Sequence, residues 1–249
     1  MRTYKIIMTM LIAAMSMPLM AQSEGGLLLE AGAEKKINKK LSIGIEGDFR
    51  LRNDFKDVDR WSLGVGASYK LTSWLKADAG YKLLNTNFRE DASYKSSGAL
   101  NKLTPSYWGI RHRLYASLTG SYKFDNNLKL SLRERWQYTY RPEKTVQRWD
   151  EDDEEWEDKI RYGKAKNQLR SRLQLSYDDK NWWLKPYASA ELYNSWSIEK
   201  IRYTVGADFN INKHNSLSVF YRFQDQRDTD SDNYDPNMHY LGIGYKFKF

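Results

Sequence analysis

The sequence predicts an all-β fold, an antiparallel up-and-down transmembrane β-barrel of 10–12 strands preceded by a signal peptide. Three observations lead to this prediction: long runs of alternating apolar and polar residues, short turns that alternate along the chain with longer loops, and a strand of the same alternating pattern at the end of the chain. The 249 residues include 9 Trp, 18 Tyr and 9 Phe but no Cys. The mean hydropathy of −0.78 excludes a helical membrane protein, because each spanning helix needs about 20 apolar residues. The lack of Cys excludes disulfide scaffolds, thiolate metal sites and cysteine nucleophiles.

The first 21 residues have the layout of a secretory signal peptide. Arg2 and Lys5 form a positive start, an apolar stretch of 15 residues follows from Ile6 to Met20, and the small residue Ala21 precedes Gln22. Fifteen apolar residues are too few for a good membrane anchor. We therefore expect cleavage between Ala21 and Gln22, which makes residues 1–21 the signal peptide and 22–249 the barrel domain.

The alternation is clearest in residues 201–211, where Ile201, Tyr203 and Val205 fall on one face and Arg202 and Thr204 on the other. Because successive side chains of a strand point to opposite faces, a period of two predicts a strand. Eleven such runs cover most of the chain after the signal peptide: 27–37, 41–52, 61–71, 75–84, 110–124, 128–141, 165–177, 184–194, 201–211, 217–224 and 238–249. About 9–11 tilted residues cross a bilayer. The alternative is a soluble sandwich, but Gly, Ser, Thr and many charges on the polar face favour a wet lumen.

Short turns and longer loops alternate between the predicted strands. Tight turns rich in Asn, Asp and Lys, such as Asp125-Asn126-Asn127, are typical of hairpins and fall on one rim. The more varied connections are 53–60, 85–109, 142–164, 195–200 and 225–237. Aromatic residues flank both sets, for example Trp74 beside a turn and Trp61 beside a loop. This arrangement is the plan of an outer-membrane barrel, with turns in the periplasm, loops outside and an aromatic girdle at each interface.

The number of strands is left open by the sequence. Single-chain bacterial barrels have even strand numbers, whereas eleven runs are present. Five pairs from Leu41 to Phe249 make ten strands and leave 27–37 without a partner. Either a further strand lies in 85–109 or 142–164, or 27–37 is not a full wall strand. We favour twelve strands over ten.

The last strand carries an assembly signal. Tyr245, Phe247 and Phe249 share one face of an alternating strand that ends on Phe. This strand resembles the C-terminal strand that the outer-membrane barrel assembly machinery recognises. We expect that machinery and outer-membrane lipids as partners, and the outer membrane of a Gram-negative cell as the location.

Several segments together resemble a family of uncharacterised outer-membrane β-barrels of Gram-negative bacteria that carries a domain of unknown function. The likeness extends over essentially the whole chain after the signal peptide. The segments that carry it are 35–42, 49–52, 60–64, 185–187, 218–222 and 241–245. The resemblance implies the barrel and its location. It brings no known substrate or active site.

Charged residues on the polar face are the candidate functional residues. The basic ones predicted to line the lumen are Arg50, Arg52, Arg111, Arg113, Arg133, Arg135, Arg170, Arg172, Arg202 and Arg222. The acidic ones are Glu46, Asp48, Asp78, Glu191 and Asp208. A basic wall predicts a small passive channel that favours anionic solutes. The alternative is a structural surface barrel that a network of ion pairs fills, because a small barrel has little room beyond its own side chains.

Residues 150–158 hold eight acids around one Trp. Clustered carboxylates suit divalent cations, but no EF-hand order of ligands is present. A block of like charges is more typical of a solvated loop. The acids Asp228, Asp230, Asp232 and Asp235 have the same interpretation.

An outer-membrane enzyme acting on envelope lipids is the alternative function. It would need a Ser–His pair on the lipid-facing side. His112 and His239 face outward, but Ser117 falls on the opposite face from His112, and His214 lies in a turn. We therefore expect no enzyme activity and no cofactor, metal or nucleic acid.

Overall fold

The computed structural model describes residues 23–179, 182–227 and 236–249. The predicted signal peptide, the cleavage site between Ala21 and Gln22, and the acids Asp228 to Asp235 lie outside the described residues. In the part of the chain that is described, no helix is long and apolar enough to cross a membrane.

Eleven strands of the described chain form a closed barrel. They are β1 (Ser23–Lys36), β2 (Leu41–Arg52), β3 (Asp57–Lys70), β4 (Leu75–Phe88), β7 (Tyr107–Lys123), β8 (Leu128–Arg141), β11 (Lys164–Tyr177), β12 (Leu184–Asn194), β13 (Ile198–Asn210), β14 (Asn215–Gln226) and β15 (Asn237–Lys248). Their order around the wall is β1-β15-β14-β13-β12-β11-β8-β7-β4-β3-β2. Each of the eleven predicted runs coincides with one of these strands, so the all-β barrel is confirmed.

The expected even number of strands is wrong. Strand β1, which contains the predicted run 27–37 except for Ile37, is a full wall strand that pairs antiparallel with β2 and parallel with β15. The parallel register runs from Ser23 opposite Asn237 to Glu34 opposite Lys248. Because an odd number of up-and-down strands leaves the first and last running the same way, the barrel closes through this one parallel seam. Parallel pairs form evenly spaced, slanted hydrogen bonds, so the seam leaves no open edge.

The two long connections do contain strands, but these strands do not join the wall. They are β5 (Asp91–Tyr94), β6 (Leu100–Thr104), β9 (Lys144–Asp150) and β10 (Glu155–Arg161). The two hairpins meet at β6 and β9, where Lys102 pairs with Asp150 and Leu103 with Trp149. The result is a separate four-stranded sheet, which we call the rim sheet, with the order β10-β9-β6-β5. Both hairpins leave the barrel at the same rim, which allows them to pair.

Asparagine side chains stabilise two of the short turns. Asn38 Oδ1 accepts hydrogen bonds from the backbone N–H groups of Lys40 and Leu41, each at 2.8 Å. Asn212 Oδ1 does the same for His214 and Asn215, each at 2.9 Å. These local bonds satisfy backbone donors within the turn and reverse the chain within a few residues. The turns that follow β1, β3, β7, β11 and β13 lie at one rim, called the turn rim. The connections at the opposite rim, called the loop rim, include the two long ones that carry the hairpins, but 53–56 and 195–197 are as short as the turns, because β3 and β13 begin earlier than alternation predicts.

The outer wall is apolar. Ile45, Leu63, Val65, Leu114 and Leu132 are all exposed on it. Glu134 also faces outward, and Ser171 on the neighbouring strand donates a 2.6 Å hydrogen bond to its carboxylate. A continuous exposed apolar wall is far larger than the patches that soluble monomers show. The polar face of each strand therefore lies inside the barrel.

Candidate functional site in the barrel interior

The barrel encloses a cavity of about 820 Å³ that reaches from one rim towards the other. At the turn rim it is lined by Glu34 and Lys246, near the ends of their strands. At the loop rim it is lined by Arg89 and Arg141. The cavity therefore follows the strands over most of their length.

The lining of this cavity is strongly basic. Of the described residues that line it, nineteen are Lys or Arg and eight are Asp or Glu. All ten arginines that the sequence places on the inner face are among them, together with Glu46, Asp48, Asp78 and Glu191. Asp208 does not line the cavity, and its carboxylate accepts a 2.6 Å hydrogen bond from Ser218 on the neighbouring strand.

Acids on the first strands are paired with bases. Asp48 lies 3.1 Å from the guanidinium of Arg60 and 3.2 Å from Lys82 Nζ, and it also accepts a hydrogen bond from Ser62. Lys82 in turn lies 2.8 Å from Glu46. This side of the interior is close to electrically balanced.

Glu191 is the centre of a buried network on the middle strands. Its carboxylate lies 2.5 Å from Arg133 on β8 and 2.8 Å from Arg170 on β11. The phenol of Tyr193 donates a 3.0 Å hydrogen bond to the same group. The guanidinium groups of Arg170 and Arg202 lie 4.4 Å and 4.7 Å from the Tyr193 ring. Glu191 and Tyr193 are only 7% and 3% exposed, so this network fills part of the lumen.

Three other arginines on these strands have no such partner. Among the described residues, no carboxylate oxygen lies within 4.0 Å of a guanidinium nitrogen of Arg113, Arg135 or Arg172. Arg113 donates a 3.0 Å hydrogen bond to Thr139 Oγ1. The guanidinium of Arg135 lies 4.3 Å from the ring of Tyr115. The basic surplus of the cavity is therefore concentrated on β7, β8 and β11.

Two β-bulges add acids that alternation did not predict. Between β2 and β3 the register shifts so that Asp59 is an extra residue, and it lies 3.4 Å from Arg52 and 3.8 Å from Arg50. Between β12 and β13 the extra residue is Glu199, which accepts hydrogen bonds from Gln168 and Lys166. A bulge changes the direction of a side chain locally. Since the bulge depends on pairing, a period-two pattern contains no signal for it.

The interior also has an apolar cluster that sequence reasoning missed. Leu28, Phe220, Met238 and Tyr240 are buried together, with Tyr187 packed against them. The Phe220 ring covers the glycine at 242, where a Cβ atom would collide with it. Phe220 shares the inward phase of Arg222, and Tyr193 that of Glu191, so strict phase counting would have found both residues.

The histidines of the outer wall are paired with tyrosines. Tyr81 Oη lies 2.7 Å from His112 Nδ1, and Tyr221 Oη lies 2.5 Å from His239 Nδ1. In the described residues no group of three His, Asp or Glu side chains has the geometry of a metal site. His112 and His239 therefore each lie within hydrogen-bonding distance of a tyrosine in the wall.

The acidic stretch 150–158 is not a loose loop. It forms the end of β9, a turn and much of β10 in the rim sheet. Lys102 Nζ lies 2.6 Å from Asp150 and 3.3 Å from Glu157, and Arg148 lies 2.5 Å from Glu157. The hydrogen bond from Lys102 lowers the pKa of Asp150 and raises that of Lys102. The bond from Arg148 lowers the pKa of Glu157. Cross-strand charge pairs therefore hold this stretch in place.

Known proteins that are similar to this chain identify its family and confirm the barrel fold. The model of the family described as "Protein of unknown function (DUF2490)" matches residues 25–235. No curated protein sequence matches significantly.

The solved structures that are similar to the barrel include two domains of autotransporters. The β domain of the Bordetella autotransporter Brka has 13% identity and a TM-score of 0.54, over 91% of this chain and 99% of that one. The translocator domain of the autotransporter NalP from Neisseria meningitidis has 11% identity and a TM-score of 0.56, over 77% of this chain and 72% of that one. Both are outer-membrane β-barrels. At these identities the likeness shows the fold alone.

Proposed function

We propose, from the premise that this chain belongs to the DUF2490 family of proteins of unknown function, that it is a passive outer-membrane channel that favours small anions. The observation that carries the proposal is the excess of nineteen basic over eight acidic residues along the described cavity. Rings of Arg and Lys select anions in pores. Low-dielectric walls strengthen the field inside a narrow passage. An anion that enters would meet inward-facing arginines from either rim.

Location in the Gram-negative outer membrane is supported by the surface and by the ends of the chain. The outer wall is apolar, as lipid contact requires. Tyr245 on the last strand and Phe249 directly after it are both exposed, as a signal for the barrel assembly machinery. A signal peptide removed after Ala21 would bring the chain across the inner membrane. This role needs no enzyme activity, and the partners are membrane lipids, the assembly machinery and small anionic solutes.

A second candidate is a structural barrel whose lumen does not conduct. The buried network of Glu191, Arg133, Arg170 and Tyr193 favours it. These side chains fill part of the lumen, and the lumen of an eleven-stranded barrel is narrow. Conductance decides between the two candidates.

The test is single-channel conductance of the refolded barrel in a planar bilayer, with ion selectivity taken from the reversal potential under a KCl gradient. Folding is checked beforehand by the heat-dependent gel shift. Steady chloride-selective steps are expected. Replacing Arg133, Arg135, Arg170 and Arg172 with Gln should lower the chloride-to-potassium permeability ratio several-fold.

The matched control replaces four lysines at the turn rim, Lys36, Lys39, Lys40 and Lys213, with Gln. These side chains are exposed, so the same change in net charge outside the lumen should leave the selectivity within about twofold of wild type, because exposed charges are screened by salt. Folded protein without conductance would overturn the channel and favour the structural barrel. Cation-selective steps would overturn the anion preference.

A further inference from the structure

We propose that Arg135 and Arg172 form a binding site inside the barrel for multivalent oxyanions, small solutes with a phosphate group or with two or more carboxylates. The proposal rests on the proposed function in that such solutes would have to reach the interior. It goes further, because it names two residues and a ligand class. It also predicts equilibrium binding whether or not the barrel conducts.

The two arginines are diagonal neighbours on adjacent strands. Arg135 on β8 faces Arg170 on β11, and Arg172 lies two residues further along β11. Diagonal neighbours of this kind lie about 7–8 Å apart at the backbone, within reach of long side chains. Both side chains point into the cavity and line it. Two guanidinium groups can therefore approach one small ligand from adjoining strands.

Charge at this place is not balanced by the protein. Glu191 pairs with Arg133 and Arg170, the residues that face Arg172 and Arg135 across the strand pair. The four arginines on β8 and β11 thus have one carboxylate near them, and in the register of β11 and β12 it lies opposite Arg172. Among the described residues, neither Arg135 nor Arg172 has a carboxylate oxygen within 4.0 Å. Like charges held close together in a low dielectric repel each other strongly, and a ligand with two negative charges would relieve this repulsion.

The surroundings of Arg135 hold it in place without using all of its donors. Its guanidinium lies 4.3 Å from the Tyr115 ring, a cation–π arrangement. Tyr115 itself lies against the bare backbone at Gly66 and Gly80. Arg135 Nε is buried without a hydrogen-bond partner, and so is Oγ of Ser117, which faces Arg135 across β7 and β8. Buried polar groups normally have partners, so these two atoms are donors that the protein itself does not satisfy.

These features point to multivalent oxyanions rather than halides. Arginine offers a planar fork of N–H groups that matches a carboxylate or a phosphate through two parallel hydrogen bonds. Two forks at this spacing match two oxyanion groups, or two sides of one phosphate. A monovalent anion would satisfy one fork and leave the other charge unpaired. The site should therefore discriminate by ligand charge.

The experiment is isothermal titration calorimetry on the refolded wild-type barrel in detergent micelles at constant ionic strength. Citrate and pyrophosphate are the probes, and acetate is the monovalent control. Wild-type protein should bind citrate or pyrophosphate at least tenfold more tightly than acetate. The carboxylate and phosphate probes distinguish the two chemical sources of the charge.

The variants Arg135→Gln and Arg172→Gln should each weaken that binding by about tenfold to a hundredfold, the range for one lost charged hydrogen-bonding partner. Arg113→Gln is the matched control, because Arg113 also faces the lumen without an acid but is bonded to Thr139. It should change the affinity by less than about threefold, the effect of a more distant charge. Arg135→Lys keeps the charge without the fork and should lose part of the affinity, which tests the site even where the Gln variant fails to fold.

Two results would overturn the proposal: no binding of either probe by folded wild-type protein, or an equal loss of affinity in Arg113→Gln. Anion-selective conductance without probe binding would contradict this site and leave the proposed function standing. Probe binding by a barrel that does not conduct would support this site and overturn the proposed channel.

Discussion

Arg133 on β8 donates a 2.5 Å hydrogen bond to Glu191 on β12, across the strand β11 that separates them in the wall. The acid is 7% exposed and also accepts a bond from Arg170. One carboxylate therefore links three strands through the interior. Without it, two guanidinium groups would stay buried with no counter-charge.

Glu191→Gln is expected to destabilise the barrel by about 3 kcal/mol, because removing one partner of a buried ion pair leaves the other charge uncompensated. The free energy of unfolding from urea titrations in lipid vesicles measures this. Glu30→Gln is the control, since the Glu30 side chain is 45% exposed and lies 3.9 Å from Arg222. An unchanged stability of Glu191→Gln would show that the network does not support the wall.

Asp59→Asn tests the bulge between β2 and β3. Asp59 is the counter-charge of Arg50 and Arg52, whose side chains are 9% and 7% exposed. We expect a loss of about 2 kcal/mol in the free energy of unfolding, as for a lost charged hydrogen bond. Asp57→Asn, two residues away at an exposed position, should change it by less than about 0.5 kcal/mol. Equal effects of the two variants would contradict the role of the bulged acid.

Gly80→Ala tests the packing of the Tyr115 side chain against the backbone of the barrel wall. A Cβ atom at position 80 would lie 2.5 Å from Tyr115 Oη and 2.5 Å from the carbonyl oxygen of Val65. The tyrosine must move, and overpacking of this kind costs about 1–3 kcal/mol. Thermal unfolding followed by circular dichroism measures the loss. Gly120→Ala, where the nearest atom is 3.9 Å away, should be close to neutral. If Gly80→Ala were as stable as Gly120→Ala, the close packing of Tyr115 would be disproved.

The rim sheet should loosen in acid. The pKa of Asp150 is lowered by the hydrogen bond from Lys102, and that of Glu157 by the bond from Arg148. A carboxylate with a lowered pKa stabilises the folded state fully above its unfolded pKa, and this stabilisation is lost as the pH falls through the lowered value. The sheet is therefore expected to hold near neutral pH and to weaken below the ordinary carboxyl range.

The edge-to-face pair of Trp149 and Trp156, with ring centroids 5.5 Å apart, reports on this transition. Its near-ultraviolet circular dichroism is isolated by subtracting the spectrum of Trp156→Phe. The signal should fall as the solution is acidified. In Asp150→Asn it should already be weaker at neutral pH, whereas Asp153→Asn at the turn should behave like wild type. A signal that is independent of pH would show that these charge pairs do not stabilise the sheet.

Much of the barrel was predictable because alternation is a local property. The side chains at 133 and 135 point inward for the same reason that Leu132 points outward: successive residues of a strand face opposite sides. Alternation alone locates the eleven wall strands of the described chain and places on the inner face ten arginines that line the cavity, with no information on which strand pairs with which.

What the sequence determined by itself is thus the class of the fold and the direction of the side chains wherever the strands run without a bulge. Tertiary structure alone decided how the wall closes, through the parallel seam of β1 and β15, and where the strands of the two long connections pair. It also decided which arginines have a partner: Asp59 and Glu199 enter through bulges, and Glu191 pairs with Arg133 and Arg170 but not with Arg135. The physical reason is that register and bulges arise from backbone hydrogen bonds between strands far apart in sequence. The balance of charge inside the barrel depends on those pairings, whereas the number and type of charged residues are given by the sequence.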